Sequence, residues 1–255
     1  MSDLILYEHP LNERIRVFLR LEHLFSQVSH FRSGKSIWDS EASIAALMEI
    51  LAIVDRTDVR SELLKELDKY SHNFYRLQDA PGVDPDRLEK TLKELSEQLK
   101  TIQNLSSRLS SDIRENELLN SVRQRTAISG GTCGFDIPAY HYWLNQSRQT
   151  KAESLSRWLV DIHPFEDAIQ LILSFLRSIS FFKRQVAAIG FYQSALDTQN
   201  PCQLLRVSLP IECKAYPEVS GNKHRINIRF LTYAETGRPK QIGYNLEFNM
   251  SCCAL

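Results

Sequence analysis

Glycine and proline are scarce in this chain, nine of each among 255 residues. Collagen-like and Pro/Gly-rich low-complexity architectures are therefore excluded. A surplus of one charge is also missing, since 31 Lys plus Arg stand against 31 Asp plus Glu. A protein that binds polyanions with its whole surface carries a large basic excess, so that class is disfavoured too. No stretch reaches the ~18 uninterrupted apolar residues of a membrane span, and the longest run, Leu171 to Phe182, is cut by Arg177. Asp3, Glu8, Glu13, Arg14 and Arg16 leave no room near the start for the apolar core of a signal peptide. Five cysteines (Cys133, Cys202, Cys213, Cys252 and Cys253) are an odd number without C-x-x-C spacing. That pattern predicts reduced thiols rather than a disulfide framework or a structural zinc site. The expectation is a soluble intracellular protein with no membrane contact, no metal and no cofactor.

What is present is globular composition, 43% hydrophobic and 24% charged. From residue 11 to about 180 the apolar period is helical, and after about 185 it becomes two. A first helix should follow Pro10 on a stripe of Ile15, Phe18, Leu21, Leu24, Phe25 and Val28. Further helices are predicted over about Ser40–Val54 and from Asp58 to the Pro81-Gly82 break. Asp84 and Pro85 mark the next start as a side-chain cap followed by a proline at the first helical position. There Leu88, Leu92, Leu95, Leu99 and Ile102 form a seam suited to packing on a neighbouring helix. One shorter helix is expected from Asp112 to Arg125, a loop at 126–137, and helices from Pro138, near Ala152 and after His163-Pro164. Alternation then marks strands at Leu205, Val207 and Leu209, at Ile226, Ile228 and Phe230, and from Ile242 to Met250. Segregated helices and strands predict an α+β fold, with a mainly helical domain at 1–182 and an antiparallel β domain at 183–255.

Catalytic signatures are absent: no nucleotide loop, zinc-protease helix, kinase set or nucleophile elbow occurs. Gly130-Gly131-Thr132-Cys133-Gly134 lacks the Lys and Ser/Thr of a triphosphate cradle and reads as a structural loop. Cys133 and His141 are close in sequence, but a catalytic thiol also needs a pKa-lowering partner and an oxyanion site. Cys252-Cys253-Ala254-Leu255 fits a prenylation template formally, yet no polybasic segment precedes it, so a continued β edge or a frayed tail is expected. His9, before Pro10, reads as a capping or turn residue.

One stretch does suggest recognition. On Lys223-His224-Arg225-Ile226-Asn227-Ile228-Arg229-Phe230, the period of two sends Ile226, Ile228 and Phe230 to one face and Lys223, Arg225, Asn227 and Arg229 to the other. Arg225 and Arg229 then stand about 13 Å apart, where guanidinium forks can grip carboxylates. Residues 206–240 hold seven Lys or Arg against three Glu, whereas residues 41–120 hold eleven against sixteen Asp or Glu. Two readings of the basic strand stand at this point. It is a solvated face whose charges discourage edge pairing, or it is a grip for an acidic partner.

YEHPLNERIRVFLRLE (7–22), DVRSELLKELDK (58–69), PGVD (81–84), VRQR (122–125), GGTCGFDIPAYHYWL (130–144), GFYQ (190–193), YPEVSGNKHRINIRF (216–230) and the late Cys-Cys occur here in one order. Through them the chain resembles the ZapD family of Z-ring-associated proteins, partners of the tubulin-like division protein FtsZ, from residue 7 to 253. The resemblance implies a cytoplasmic homodimer without enzymatic activity, recruited to mid-cell. Such a dimer binds the C-terminal tail of FtsZ and bundles its filaments. It implies tail-binding roles for Arg225 and Arg229, with Lys223 beside them and Arg56 just ahead of the DVRSELLKELDK motif. Arg20 and His141 become further binding or dimer-interface positions. Glu117 stands where the family often has a basic residue, which reverses the local field. The runner-up is a nucleic-acid module on the basic β face, weakened by zero net charge and by the lack of interleaved stacking aromatics. A Cys133/His141 hydrolase ranks third.

Overall fold

The computed structural model describes residues 3–78, 80–105, 111–222 and 224–254. In chain order the elements are β1 (Leu4–Pro10), α1 (Glu13–Phe31), α2 (Ile37–Arg56), α3 (Val59–Tyr75), α4 (Pro85–Asn104), α5 (Ser111–Arg114), α6 (Glu117–Arg125), α7 (Pro138–Leu144), α8 (Arg148–Leu159) and α9 (His163–Ser178). There follow β2 (Lys183–Ala187), β3 (Phe191–Ala195), β4 (Cys202–Pro210), β5 (Ala215–Gly221), β6 (Arg225–Thr232) and β7 (Leu246–Ala254). The fold is α+β, with β1 ahead of the helices and the other six antiparallel strands after them. Two compact units result: Met1–Leu19 with Leu173–Leu255, and Arg20–Ile172. The strand unit thus takes in an N-terminal strand that the sequence reading had left within the helical domain of 1–182.

Helix starts follow side-chain caps. Ser36 and Asp39 form a reciprocal capping box, Asp39 N–H donating to Ser36 Oγ (3.0 Å) and Ser36 N–H to Asp39 Oδ2 (2.9 Å). This moves α2's start ahead of the expected Ser40. Asp58 accepts from Ser61 N–H at 3.1 Å, and Asp84 accepts from the Asp86 and Arg87 N–H groups at 3.1 and 3.3 Å. The single helix expected from Asp112 to Arg125 is two, because Asn116 turns its side chain to accept from Leu119 N–H at 3.0 Å and starts α6 afresh. In the helical unit α4 packs on α3. Leu88, Leu92, Leu95 and Ile102 are buried, and Arg60 donates to the Ile102 and Gln103 carbonyls at 3.1 and 2.7 Å. The leucine seam therefore closes an intrachain helix pair.

In the strand unit, one sheet has the order β1-β4-β7-β2 and the other β3-β6-β5. Their inner faces share a core in which Leu205, Val207, Leu209 and Phe248 meet Ile226, Ile228 and Phe230. On the other face of the four-stranded sheet, Glu8 accepts from Arg177 (2.9 and 2.7 Å) and from Arg206 (3.0 Å), tying β1, α9 and β4 together. Arg206 also lies over the Phe182 ring at 5.2 Å. The chain passes from β2 to β3, and so between sheets, through Ile189-Gly190. Gly190 has φ +71°, and a Cβ there would stand 2.5 Å from Ile242 Cγ1.

Two sequence expectations are corrected and a third is narrowed. Cys202 and Cys252 lie on the paired strands β4 and β7 with Cα atoms 5.6 Å apart, and the structure joins them in a disulfide. Cysteine parity in sequence carried no information about that cross-strand proximity. Cys252-Cys253-Ala254 is not a frayed tail: it continues β7, paired with β4 beyond the stretch 246–250 that β2 also pairs. His9 is a strand residue opposite Leu205. Burial, with the Arg16 charge, pushes its imidazole pKa down.

Candidate functional site

The basic strand has the predicted two-faced form. On β6, Ile226, Ile228 and Phe230 are fully buried, whereas Arg225 and Arg229 are exposed. The ladder sets Phe191 and Glu218 on either side of Arg229, Gln193 and Ser220 beside Asn227, and Ala195 beside Arg225. The two arginines are not equivalent. Arg229 is already ion-paired with Glu218 on β5, while Arg225 makes no ion pair among the described residues. Between them Asn227 holds a buried side-chain oxygen without a hydrogen-bond partner. The local basic excess shrinks further because Arg206 is committed to Glu8. Lys223 lies outside the described residues.

The remaining predicted residues belong to the helical unit. Arg56 is the last residue of α2, exposed, with its cation at the favourable end of the helix dipole. It lines a cavity of about 410 Å³ with Met48, Ala52 and Arg123, the last paired to Asp55 at 2.8 Å. Arg20 is exposed on α1. His141, exposed on α7, packs against the loop before it. A Cβ at Gly134 would stand 2.8 Å from its Nδ1, so glycine is needed there for the ring to lie as it does. This gives His141 a packing role. No group of His, Cys, Asp and Glu among the described residues is arranged to hold a metal ion. No helix among them is long and apolar enough to cross a membrane.

One feature was not anticipated from sequence. Along α3 and α4 runs a cleft of about 860 Å³, lined by Tyr75, Leu88, Leu92, Lys93 and Lys100, with Glu89 and Glu97 among its polar groups. Tyr75 closes α3 and is 56% exposed, and Leu77, two residues beyond, is 41% exposed. The sequence expectation carried this helix on to the Pro81-Gly82 break, whereas α3 ends at Tyr75.

A family model described as a cell division protein, ZapD, matches residues 19–229. The cell division protein ZapD of Methylococcus capsulatus is 42% identical over 255 residues, covering all of both chains. Those of Pectobacterium carotovorum and Nitrosomonas eutropha are 36% and 35% identical, each covering at least 98% of both chains. The chain belongs to the ZapD family of cell division proteins. For a ZapD-family member a role in cell division follows.

Proposed function

We propose that this protein is a non-catalytic cross-linker of FtsZ filaments, acting as a homodimer in which each copy takes one FtsZ C-terminal tail at the division site. That tail is a short segment of apolar and acidic character on a flexible linker. Ordering it costs entropy, so a single engagement is weak. Two sites in one dimer raise the effective concentration of the second engagement, and bivalency then turns tail binding into bundling.

The observation that carries the placement is the α3–α4 cleft. Apolar side chains gain affinity by leaving water for a concave, mostly preformed site. The buried Leu88 and Leu92 floor, the exposed Tyr75 wall and the Lys93 and Lys100 ammonium groups suit a peptide of that composition. A second placement is favoured by a different observation: Arg225, beside Arg229 on β6, is exposed and makes no ion pair among the described residues. That surface grips carboxylates but offers little concavity.

The test is co-sedimentation with FtsZ filaments, full-length and tail-deleted, using three forms of the protein: wild type, Tyr75→Asp/Leu77→Asp and Arg225→Glu/Arg229→Glu. Loss of sedimentation on tail deletion is expected, together with loss in the Tyr75/Leu77 variant. Normal bundling of tail-less filaments would reject the tail reading. Loss in the arginine variant alone would move the site to β6.

A further inference from the structure

The strand unit holds four of the five cysteines, and the fold sorts them. Cys252 and Cys253 are adjacent on β7, so the pleat turns them to opposite faces of the sheet. Cys252, opposite Leu205, shares the inner face with Cys202, whereas Cys253 lies on the outer one. Cys253 is fully buried, and burial raises its thiol pKa, which keeps it unreactive. Cys213 lies past the opposite end of the nine-residue β4 from Cys202, roughly 25 Å away at 3.3 Å per residue. Cys202 can therefore reach Cys252 and no other cysteine of this unit.

The place of the bond decides what it holds. β2 flanks β7 only along 246–250, so among the described strands residues 252–254 pair with β4 alone. There the ladder shifts register between Cys202 and Leu204, which leaves Gln203 as the extra residue of a bulge. The Gln203 carbonyl accepts from Leu11 N–H at 2.9 Å. One residue further on, Asn12 steadies the start of α1 by accepting from Ile15 N–H at 2.8 Å. The bond joins residues 50 positions apart and so ties down both the end of β7 and the bulge beside which β1 hands over to α1.

The two sulfurs differ in access, since Cys202 is buried and Cys252 half-buried. An incoming small thiolate, R–S⁻, therefore meets Cys252 Sγ. The new R–S bond forms as the Sγ–Sγ bond breaks, and Cys202 leaves with the electron pair and takes up a proton. The thiol so formed has an acceptor in place, because Cys202 Sγ lies 3.5 Å from Leu204 O. A second thiolate then attacks the R sulfur, forms R–S–S–R and releases Cys252, which is protonated in turn. In the reverse direction R–S–S–R takes the two electrons and the protein bond re-forms.

We infer that Cys202–Cys252 is a reversible redox clasp on the end of the β4–β7 ladder, opened by low-molecular-weight thiols and closed by their disulfides while the protein stays folded. Closed, it fixes residues 252–254 and the Gln203 bulge. Open, it releases both to local fraying, as chain ends without a second tie do. On the function proposed above the protein works in the cytoplasm, where disulfides are transient and redox-sensing rather than permanent. The clasp itself depends neither on that function nor on where a peptide lies.

The experiment equilibrates the full chain, without denaturant, over a series of reduced-to-oxidised glutathione ratios. Samples are quenched in acid, alkylated and mapped by mass spectrometry. The Cys202–Cys252 link should be complete at the oxidised end, absent at the reduced end and the same when approached from either side. Hydrogen exchange should be about tenfold faster in the reduced protein at 251–254, at 202–206 and at Leu11, with α3 and α4 unaltered. Cys202→Ser/Cys252→Ser should exchange like the reduced wild type at every ratio, and Cys253→Ser should keep the link. Should the double variant fail to fold, the two end states of the wild-type protein decide alone. A link that yields only after denaturation, or one that never forms in the oxidised buffer, would overturn the inference. So would pairing through Cys253 or Cys213, equal exchange in both states, or a rise spread equally over α3 and α4. None of these results bears on whether filaments need the FtsZ tail, which co-sedimentation reads separately.

Discussion

The α3–α4 cleft and the outer face of β6 are built from opposite materials. The cleft gathers leucine and tyrosine in a concavity of about 860 Å³, where lysines and glutamates offset one another. The β6 face is a flat ladder whose exposed groups are Arg225 and Arg229, with Gln193 on β3 and Glu218 on β5 beside them. A concave apolar site gains its free energy from water released, which salt scarcely weakens. A flat charged face gains it from Coulomb attraction, which is screened over about 10 Å at 0.1 M salt. The contrast separates affinity from selectivity.

The largest effect is expected from spoiling the cleft. Tyr75→Asp puts a carboxylate on the cleft wall and Leu77→Asp a second one just beyond it, and together they should lower affinity for an FtsZ tail peptide more than tenfold. Because both side chains are substantially exposed, circular dichroism and thermal unfolding should hardly change. Calorimetry with the isolated peptide reads the result, and unchanged affinity would remove the cleft from the comparison.

A smaller, salt-dependent effect is expected at β6. Arg225→Glu should weaken filament co-sedimentation by about three- to tenfold at low ionic strength, with the difference fading toward a few hundred millimolar salt. Arg229→Glu should do less, because Arg229 spends its charge on Glu218. Glu218→Ala sharpens the point. Freeing Arg229 should tighten binding of an acidic peptide by about twofold, since an exposed pair is worth about 0–1 kcal/mol. Equal losses at the two arginines would mean that the Glu218 pair does not distinguish them in solution.

The sequence made the β6 face legible because its information is local. Ile226, Ile228 and Phe230 alternate with Arg225, Asn227 and Arg229, and the pleat converts that alternation into two faces without reference to the rest of the chain. The cleft was not legible, because a stripe of leucines reads as core whether or not every position has a partner. Only the packing of α3 on α4 shows that Tyr75 and Leu77 are left over. β1 and β3 were missed for related reasons. The first is a run of three apolar residues ahead of Tyr7 and Glu8, and the second is only five residues long, too short for a period to declare itself. The Arg229–Glu218 pair was hidden as well, since cross-strand register is a tertiary fact.

The two units should also part company on acidification, with the smallest effect of all. In the helical unit the caps Asp39 and Asp58 have pKa values held down chiefly by hydrogen bonds with Ser36 and Ser61. Their contribution is present above the unfolded carboxylate range near 4 and is lost as pH falls through the lower folded values. In the strand unit His9 has its pKa lowered by burial first and Arg16 second. Its folded state prefers the neutral ring, so its contribution is present above the unfolded value near 6.5 and is lost as pH falls below that. Acidification from pH 7 to 5 should therefore weaken the strand unit before the helical caps respond. Trp38, Trp143 and Trp158 all lie within Arg20–Ile172, so tryptophan fluorescence reports the helical unit alone, and the His9 ring signals in NMR report the other. His9→Gln should flatten the dependence between pH 7 and 5 and leave the loss below pH 4 in place. A variant that kept the wild-type slope in that upper window would assign the titration to a different group.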